Sequence, residues 1–245
     1  MAGHSKWAQI KRKKAVNDVR RGKVISKYLR AITAAARSGG SADPAANVSL
    51  RNLIEAAKYE DVPGDNIDRL LAKLQGGGEE GSNYEEIVYE GYAPGGVAVL
   101  VNALSDNRNR TASDVRHVFA KHGGSLGASG AVAWQFDRRG YLYLNNKSDA
   151  AQEAAIELGA LDLQEDAEGM EVYTNAGDVY SVSKGLEARG FKPESVEITM
   201  VPQNTLKLSS DEAAKVLRLV EALEDLEDVQ SVHTNLDPES IGVEA

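Results

Sequence analysis

Cysteine is absent from the chain. Disulfides, thiolate metal sites and cysteine nucleophiles are thereby excluded, and packing alone must supply stability. Histidine is nearly as scarce, and His4, His117, His122 and His233 lack the spacing of a metal motif. No apolar run approaches the roughly 18 residues that mark a membrane span, and the N-terminus is too charged for a signal-peptide core. A cytoplasmic protein without a membrane partner is expected. Neither a GxGxxG fingerprint nor a GK[ST] ending occurs, even in the glycine-rich stretch Gly123–Gly130, which reads as a hinge or binding loop. No serine, histidine and acid set has interpretable spacing. Neither a cofactor nor a small-molecule substrate is expected.

Acids are what the first forty residues lack. They hold 11 lysines and arginines against Asp18 alone, a balance of +10 within a chain of net charge −9, which leaves −19 on the rest. This is the pattern of a basic arm or module on an acidic body. Residues 1–17, with Lys6, Trp7, Lys11, Arg12, Lys13 and Lys14, have no apolar stripe to offset ordering entropy, so a mobile arm that orders on a partner is expected. Trp7 suits stacking on a base and packing on the helical module equally. From Arg20 the pattern is helical. Val24, Ile25, Tyr28, Leu29, Ile32 and Ala36 form one face, and Arg20, Lys23, Lys27 and Arg30 another that can lie along phosphates. A second helix, capped by Asp43-Pro44, buries Val48, Leu50, Leu53, Ile54 and Ala57. A third, capped by Asp65, buries Ile67, Leu70, Leu71 and Leu74 and stops at the linker Gly76–Gly81.

The centre of the chain reads as a hairpin, Tyr84–Tyr92 and Val97–Leu104 across Pro94-Gly95-Gly96, leading through a polar corner into a helix marked by Ala112, Val115, Val118 and Phe119. Asn107, Arg108, Asn109 and Arg110 at that corner, with Arg116 further along, form a phosphate cradle at a helix start, or else Asp106 or Asn107 merely caps the helix and the arginines pair with acids. Residues Ala131–Phe136 and Tyr141–Leu144 read as a second hairpin across Asp137-Arg138-Arg139-Gly140, with Trp134 and Phe136 in the core. The order that follows, of helix, two strands, helix and strand, matches a ferredoxin-like sandwich. A capping box, Ser209 with Glu212, opens a last helix before a strand at Val229–His233. The expected fold is α+β in three domains. These are a basic arm and three-helix module (1–80), a discontinuous middle α/β domain (81–130 and 203–245), and an inserted ferredoxin-like domain (131–202).

The stretches Met1–Trp7, Tyr89–Gly96, Asp106–Thr111 and Gly130–Trp134 together resemble the YebC family across essentially the whole chain. The resemblance implies three domains around a central cleft. It implies a probable DNA-binding transcriptional regulator, related to mitochondrial translational activators and to bacterial members linked to ribosomes. It places the basic arm, Lys23 and the corner Asn107–Arg110 in the binding surface. One departure is Ala93, where the family turn has glycine; a positive φ there would force a different turn.

Three functions compete on these residues. The first is a DNA-binding transcription regulator, although no base-reading module is recognisable. The second is a translation factor bound to ribosomal RNA or the ribosome, because phosphate contact is common to both. The third is a junction-resolving nuclease, in which Asp106, Asp114 and Glu86 would converge on Mg²⁺ or Mn²⁺; solvated acids and a cap explain the same three residues.

Overall fold

The computed structural model describes residues 18–76 and 84–241. The basic arm, most of the Gly76–Gly81 linker, and therefore Lys6, Trp7, Lys11, Arg12, Lys13 and Lys14 lie outside the described residues, as does the side chain of Arg20. The architecture is α+β, with seven α-helices and two four-stranded sheets among the described residues. Residues 18–135 with 202–241 form one compact unit and residues 136–201 another.

The first unit begins with three helices, α1 (Asp18–Ser38), α2 (Val48–Tyr59) and α3 (Gly64–Gln75). Ile32, Ala35, Ala36, Leu50, Ile54, Ala57, Val62 and Ile67 form their shared core. The second helix starts later than its sequence suggests. Asp43-Pro44 makes a separate turn, in which Asp43 accepts the Ala45, Ala46 and Asn47 N–H groups. Asn47 is the cap, accepting from the Leu50 N–H while its amide donates to the Ala35 and Ser41 carbonyls. That shift leaves Val48 on the first, exposed turn, outside the core. Similarly, Pro63 precedes α3, and Asp65 lies within its first turn as a favourable charge for the helix dipole.

Strands β1 (Glu85–Tyr92) and β2 (Ala98–Ser105) pair antiparallel from Glu85↔Ser105 to Tyr92↔Ala98. A 3₁₀ turn, Pro94–Gly96, joins them. The positive φ values fall on Gly95 and Gly96, whereas Ala93 sits at φ −80°, so its methyl group carries no backbone strain. Helix α4 (Arg108–Lys121) follows, and β3 (Ser125–Leu126) then pairs with the far edge of β1. The chain returns after residue 201 through α7 (Ser210–Glu224) and β8 (Val229–Thr234), which pairs with β2 and completes the order β3-β1-β2-β8. The Gln203 N–H donates to the Gln135 carbonyl at 2.8 Å, closing the two ends of the 136–201 segment on each other.

The 136–201 unit contains β4 (Phe136–Leu144), α5 (Asp149–Glu157), β5 (Asp162–Glu165), β6 (Met170–Asn175), α6 (Val179–Ala188) and β7 (Ser195–Pro202, whose last residue passes into the other unit). Its sheet order, β5-β6-β4-β7, is the ferredoxin-like one. The expected hairpin across Asp137–Gly140 is instead one continuous strand, β4, preceded by a 3₁₀ turn at Ala133–Gln135. Gly140 had suggested a turn. Its actual role is close approach, since a Cβ there would lie 2.3 Å from Thr174 Oγ1 and 2.5 Å from Val179 Cβ. Phe136 is buried as expected. Trp134, on the turn and outside the strand, is 69% exposed.

Gly140→Ala is expected to destabilise the protein by about 1–3 kcal/mol through overpacking of α6 against β4. A lower urea midpoint at an unchanged m-value would report it; an unaltered midpoint would show that α6 can shift freely.

Candidate nucleic-acid interface

The corner between β2 and α4 is built around an acid supplied from far away in sequence. Asn107 caps α4, its side chain accepting the Arg110 N–H at 3.1 Å. Asp228, between α7 and β8, is only 8% exposed, and its Oδ2 accepts hydrogen bonds from Thr111 Oγ1 (2.6 Å), Arg110 Nη2 (2.8 Å) and Ser105 Oγ (3.0 Å). Its main-chain carbonyl accepts the Leu104 N–H at 2.8 Å. Burial by itself would raise the carboxyl pKa; the bonds from Arg110, Thr111 and Ser105 outweigh it and hold Asp228 below the usual aspartate range. Arg110 also pairs with Asp106 at 2.9 Å, and the two acids push its own pKa further up.

The arginines of the corner therefore have partners within the chain. Arg108 pairs with Glu85 at 2.9 Å, and this pair is open to water on both sides. Arg110 is shared between two carboxylates, Asp106 and Asp228. Asn109 and Arg116 are exposed. Beside Arg110 a recess of about 150 Å³ is lined by Thr111, Asp114, Leu226, Glu227 and Asp228, a surface too acidic to seat a phosphate.

The cationic face of α1 meets the same segment. Lys23 pairs with Asp225 at 3.0 Å, Lys27 donates to the Glu224 carbonyl at 2.8 Å, and Arg30 donates to the Glu227 carbonyl at 3.1 Å and pairs with the Glu227 carboxylate. These groups lie at the C-terminal end of α7, where the helix dipole adds negative potential. Three of the cations expected on a phosphate surface thus touch a bracket of acids and carbonyls within the chain.

The carboxylates suggested for metal chemistry are not assembled. Asp106 is tied to Arg110, Asp114 lines the recess, and Glu86 follows Glu85 on the opposite face of the sheet, because adjacent strand residues alternate. Among the described residues, no group of three or more histidine or acidic side chains is placed to hold a metal ion. No described helix is long and apolar enough to cross a membrane.

The descriptions "TACO1/YebC protein N-terminal domain" and "TACO1/YebC second and third domain" match residues 5–77 and 84–236. The chain belongs to the TACO1/YebC family. A Thermus thermophilus relative is 68% identical over the whole of both chains, and one from Deinococcus radiodurans is 55% identical over 97% of each; both carry the name "Probable transcriptional regulatory protein". The crystal structure of a conserved hypothetical protein from Aquifex aeolicus is 46% identical, with a TM-score of 0.78 over 90% of this chain and 91% of that one.

Two acids of this family member escape a reading of its sequence. Asp228 stands in the run Glu224-Asp225-Leu226-Glu227-Asp228, where nothing local distinguishes it from its neighbours. Glu90, 5% exposed on β1, accepts the N–H groups of Gly130, Val132 and Ala133 at 2.6–2.7 Å. Burial would raise its pKa, but these three bonds lower it. Both carboxyls thus titrate below their unfolded values of about 3.9 for Asp and 4.3 for Glu. Their stabilisation is fully present above those values and is lost as pH falls through the lower, folded ones. Asp228→Asn is expected to cost about 2–3 kcal/mol at neutral pH, by leaving Arg110 and the two hydroxyls poorly matched. It should also flatten the fall in thermal midpoint below about pH 4. A variant with the parent's midpoint and acid slope would show that the carboxylate contributes nothing.

Proposed function

We propose that this protein is a nucleic-acid-binding regulator that acts on DNA in transcription and holds the phosphate backbone through its N-terminal basic segment. The observation that carries the reading is the charge division, +10 within the first forty residues of a chain of net charge −9. A polyanion is attracted to that segment and repelled by the rest, which sets both the place and the orientation of binding. Lys6, Lys11, Arg12, Lys13 and Lys14 make the phosphate contacts, with Trp7 among them. Arg20, Lys23, Lys27 and Arg30 extend the surface along α1, and Arg108, Arg116, Asn107 and Asn109 add a second contact. The printed name of the Thermus and Deinococcus relatives supports transcription as the process.

The ion pairs of α1 with Asp225 and Glu227 are compatible with this role. The Lys23–Asp225 pair is open to solvent, and such pairs are worth about 0–1 kcal/mol, so a phosphate can displace the acid; in the Arg30–Glu227 pair the acid is exposed while the arginine is more sheltered. Docking of α1 on the end of α7 and binding of nucleic acid along α1 draw on the same cations.

Binding of labelled duplex DNA across a salt series tests the reading. Each phosphate contact contributes about −0.9 to the slope of log K against log salt. Replacing Lys11, Arg12, Lys13 and Lys14 with glutamine should therefore reduce the slope by as much as about 3.6. An unchanged slope would overturn the proposal. The double variant Asp225→Asn, Glu227→Gln should bind DNA a few-fold more tightly at low salt, because the α1 cations are released; equal affinity would show that those cations take no part.

A further inference from the structure

Trp134 and Tyr92 are bound to one atom. Trp134 Nε1 donates to the Ala131 carbonyl at 3.2 Å, and the Tyr92 hydroxyl donates to the same oxygen at 3.1 Å. Both polar edges are satisfied inside the chain while the rings remain open to solvent, at 69% and 37% exposure. Val88, 52% exposed, stands on the same face of β1 as Tyr92.

The loop that carries Trp134 is held unusually firmly for a glycine-rich segment. Glu90 lies between Val88 and Tyr92 on that face, and its carboxylate accepts the Gly130, Val132 and Ala133 N–H groups. The Gly127 N–H donates to the Glu90 carbonyl at 2.7 Å, and β3 anchors the start of the loop on β1. A buried charge is thus spent on fixing the backbone on which the exposed ring stands. The loop is also neutral: from Gly123 to Gln135 it contains no acidic or basic side chain, in a body that otherwise carries a large acidic excess.

We propose that Trp134 and Tyr92 form a stacking platform for unpaired bases of a single-stranded nucleic acid. Two aromatic side chains, each able to bury at most about 150–250 Å² and here only partly exposed, fall well short of the roughly 800 Å² per partner of a stable protein interface. It matches one or two bases, for which flat, pre-organised rings are a sequence-tolerant surface. The neutral loop does not repel the attached phosphates, and the Glu90 charge is absorbed by its three N–H donors. The proposal rests on the nucleic-acid reading above and adds to it a preference for splayed bases, distinct from the phosphate contacts of the basic segment.

The full-length Trp7→Phe variant leaves Trp134 as the sole tryptophan, so its fluorescence reports the platform while anisotropy of a labelled oligonucleotide reports binding. Oligo(U), oligo(dT), an abasic strand of equal length, duplex DNA and a proline-rich peptide are the probes. The expected result is quenching by oligo(U) or oligo(dT) and none by the abasic strand. Trp134→Ala should weaken oligo(U) or oligo(dT) binding about five-fold or more, with an unchanged salt slope and an unchanged melting temperature, and Trp134→Phe should recover most of the loss. Comparison of oligo(U) with oligo(dT) tells whether RNA or DNA is preferred. Binding without quenching, or equal quenching by the abasic strand, overturns the platform and leaves the nucleic-acid reading standing. Quenching by the peptide alone overturns it in favour of a protein ligand. Failure of every nucleic acid to bind overturns both.

Discussion

The carboxylate of Asp228 receives hydrogen bonds from Ser105 at the end of β2 and from Arg110 and Thr111 in the first turn of α4, while its carbonyl receives the Leu104 N–H. One residue of the α7–β8 connection therefore fixes where a strand ends, where a helix begins and how both meet a segment more than a hundred positions away. The arrangement is demanding because a buried carboxylate is costly unless its lone pairs are filled, and here hydroxyls and a guanidinium fill them. The direction of the α7 C-terminus follows from this anchor. So does the position of Asp225 and Glu227, against which the cations of α1 lie.

An acidic protein can hold a polyanion only if its charges are kept apart or consumed internally, and both devices are present. The first forty residues gather 11 of the 28 lysines and arginines beside a single acid. Of the acids nearest the candidate surfaces, Asp228 and Glu90 are turned inward and saturated by donors, while Asp225 and Glu227 face the α1 cations. The arginine corner is less a ready-made cradle than a joint. Arg110 belongs to the fold, and Arg108, paired only with an exposed glutamate, is the corner arginine most easily drawn to an outside phosphate.

Much of this was legible because the signals are local. The capping box at Ser209 announces itself through a side chain reaching three residues along the chain, whereas at the start of α4 the sequence offers Asp106 and Asn107 alike and the structure selects Asn107. The unbroken apolar run of β2 marks a strand buried on both faces, and the apolar spacing of α1 marks its packed side, without reference to the rest of the chain. Sequence pattern and structure part where one residue type serves two purposes. Gly140 looked like a turn glycine and is a packing glycine. Trp134 fitted a two-residue period that the backbone does not follow, since the strand begins only at Phe136. Asp43 has the chemistry of a cap, but Asn47, with a donor as well as an acceptor, satisfies both the α2 start and the end of α1. Asp228 and Glu90 were out of reach for a different reason. Their partners lie about 120 and 40 residues away in the sequence, a separation over which no periodicity carries information.

The pairing of β8 with β2 also bears on how the molecule is made. A chain synthesised from its N-terminus completes β1, β2 and α4 more than a hundred residues before β8 exists, a wait on the order of ten seconds at translation rates of about 5–20 residues per second. Throughout that interval one edge of β2 has no neighbour, and Ser105 and Thr111 lack their shared acceptor. The 136–201 unit emerges in the meantime with all four of its strands. The order of maturation on the ribosome is thus the reverse of the order in which the units begin in sequence, with the intervening unit complete first and the unit that flanks it in sequence sealed only when its closing strand arrives.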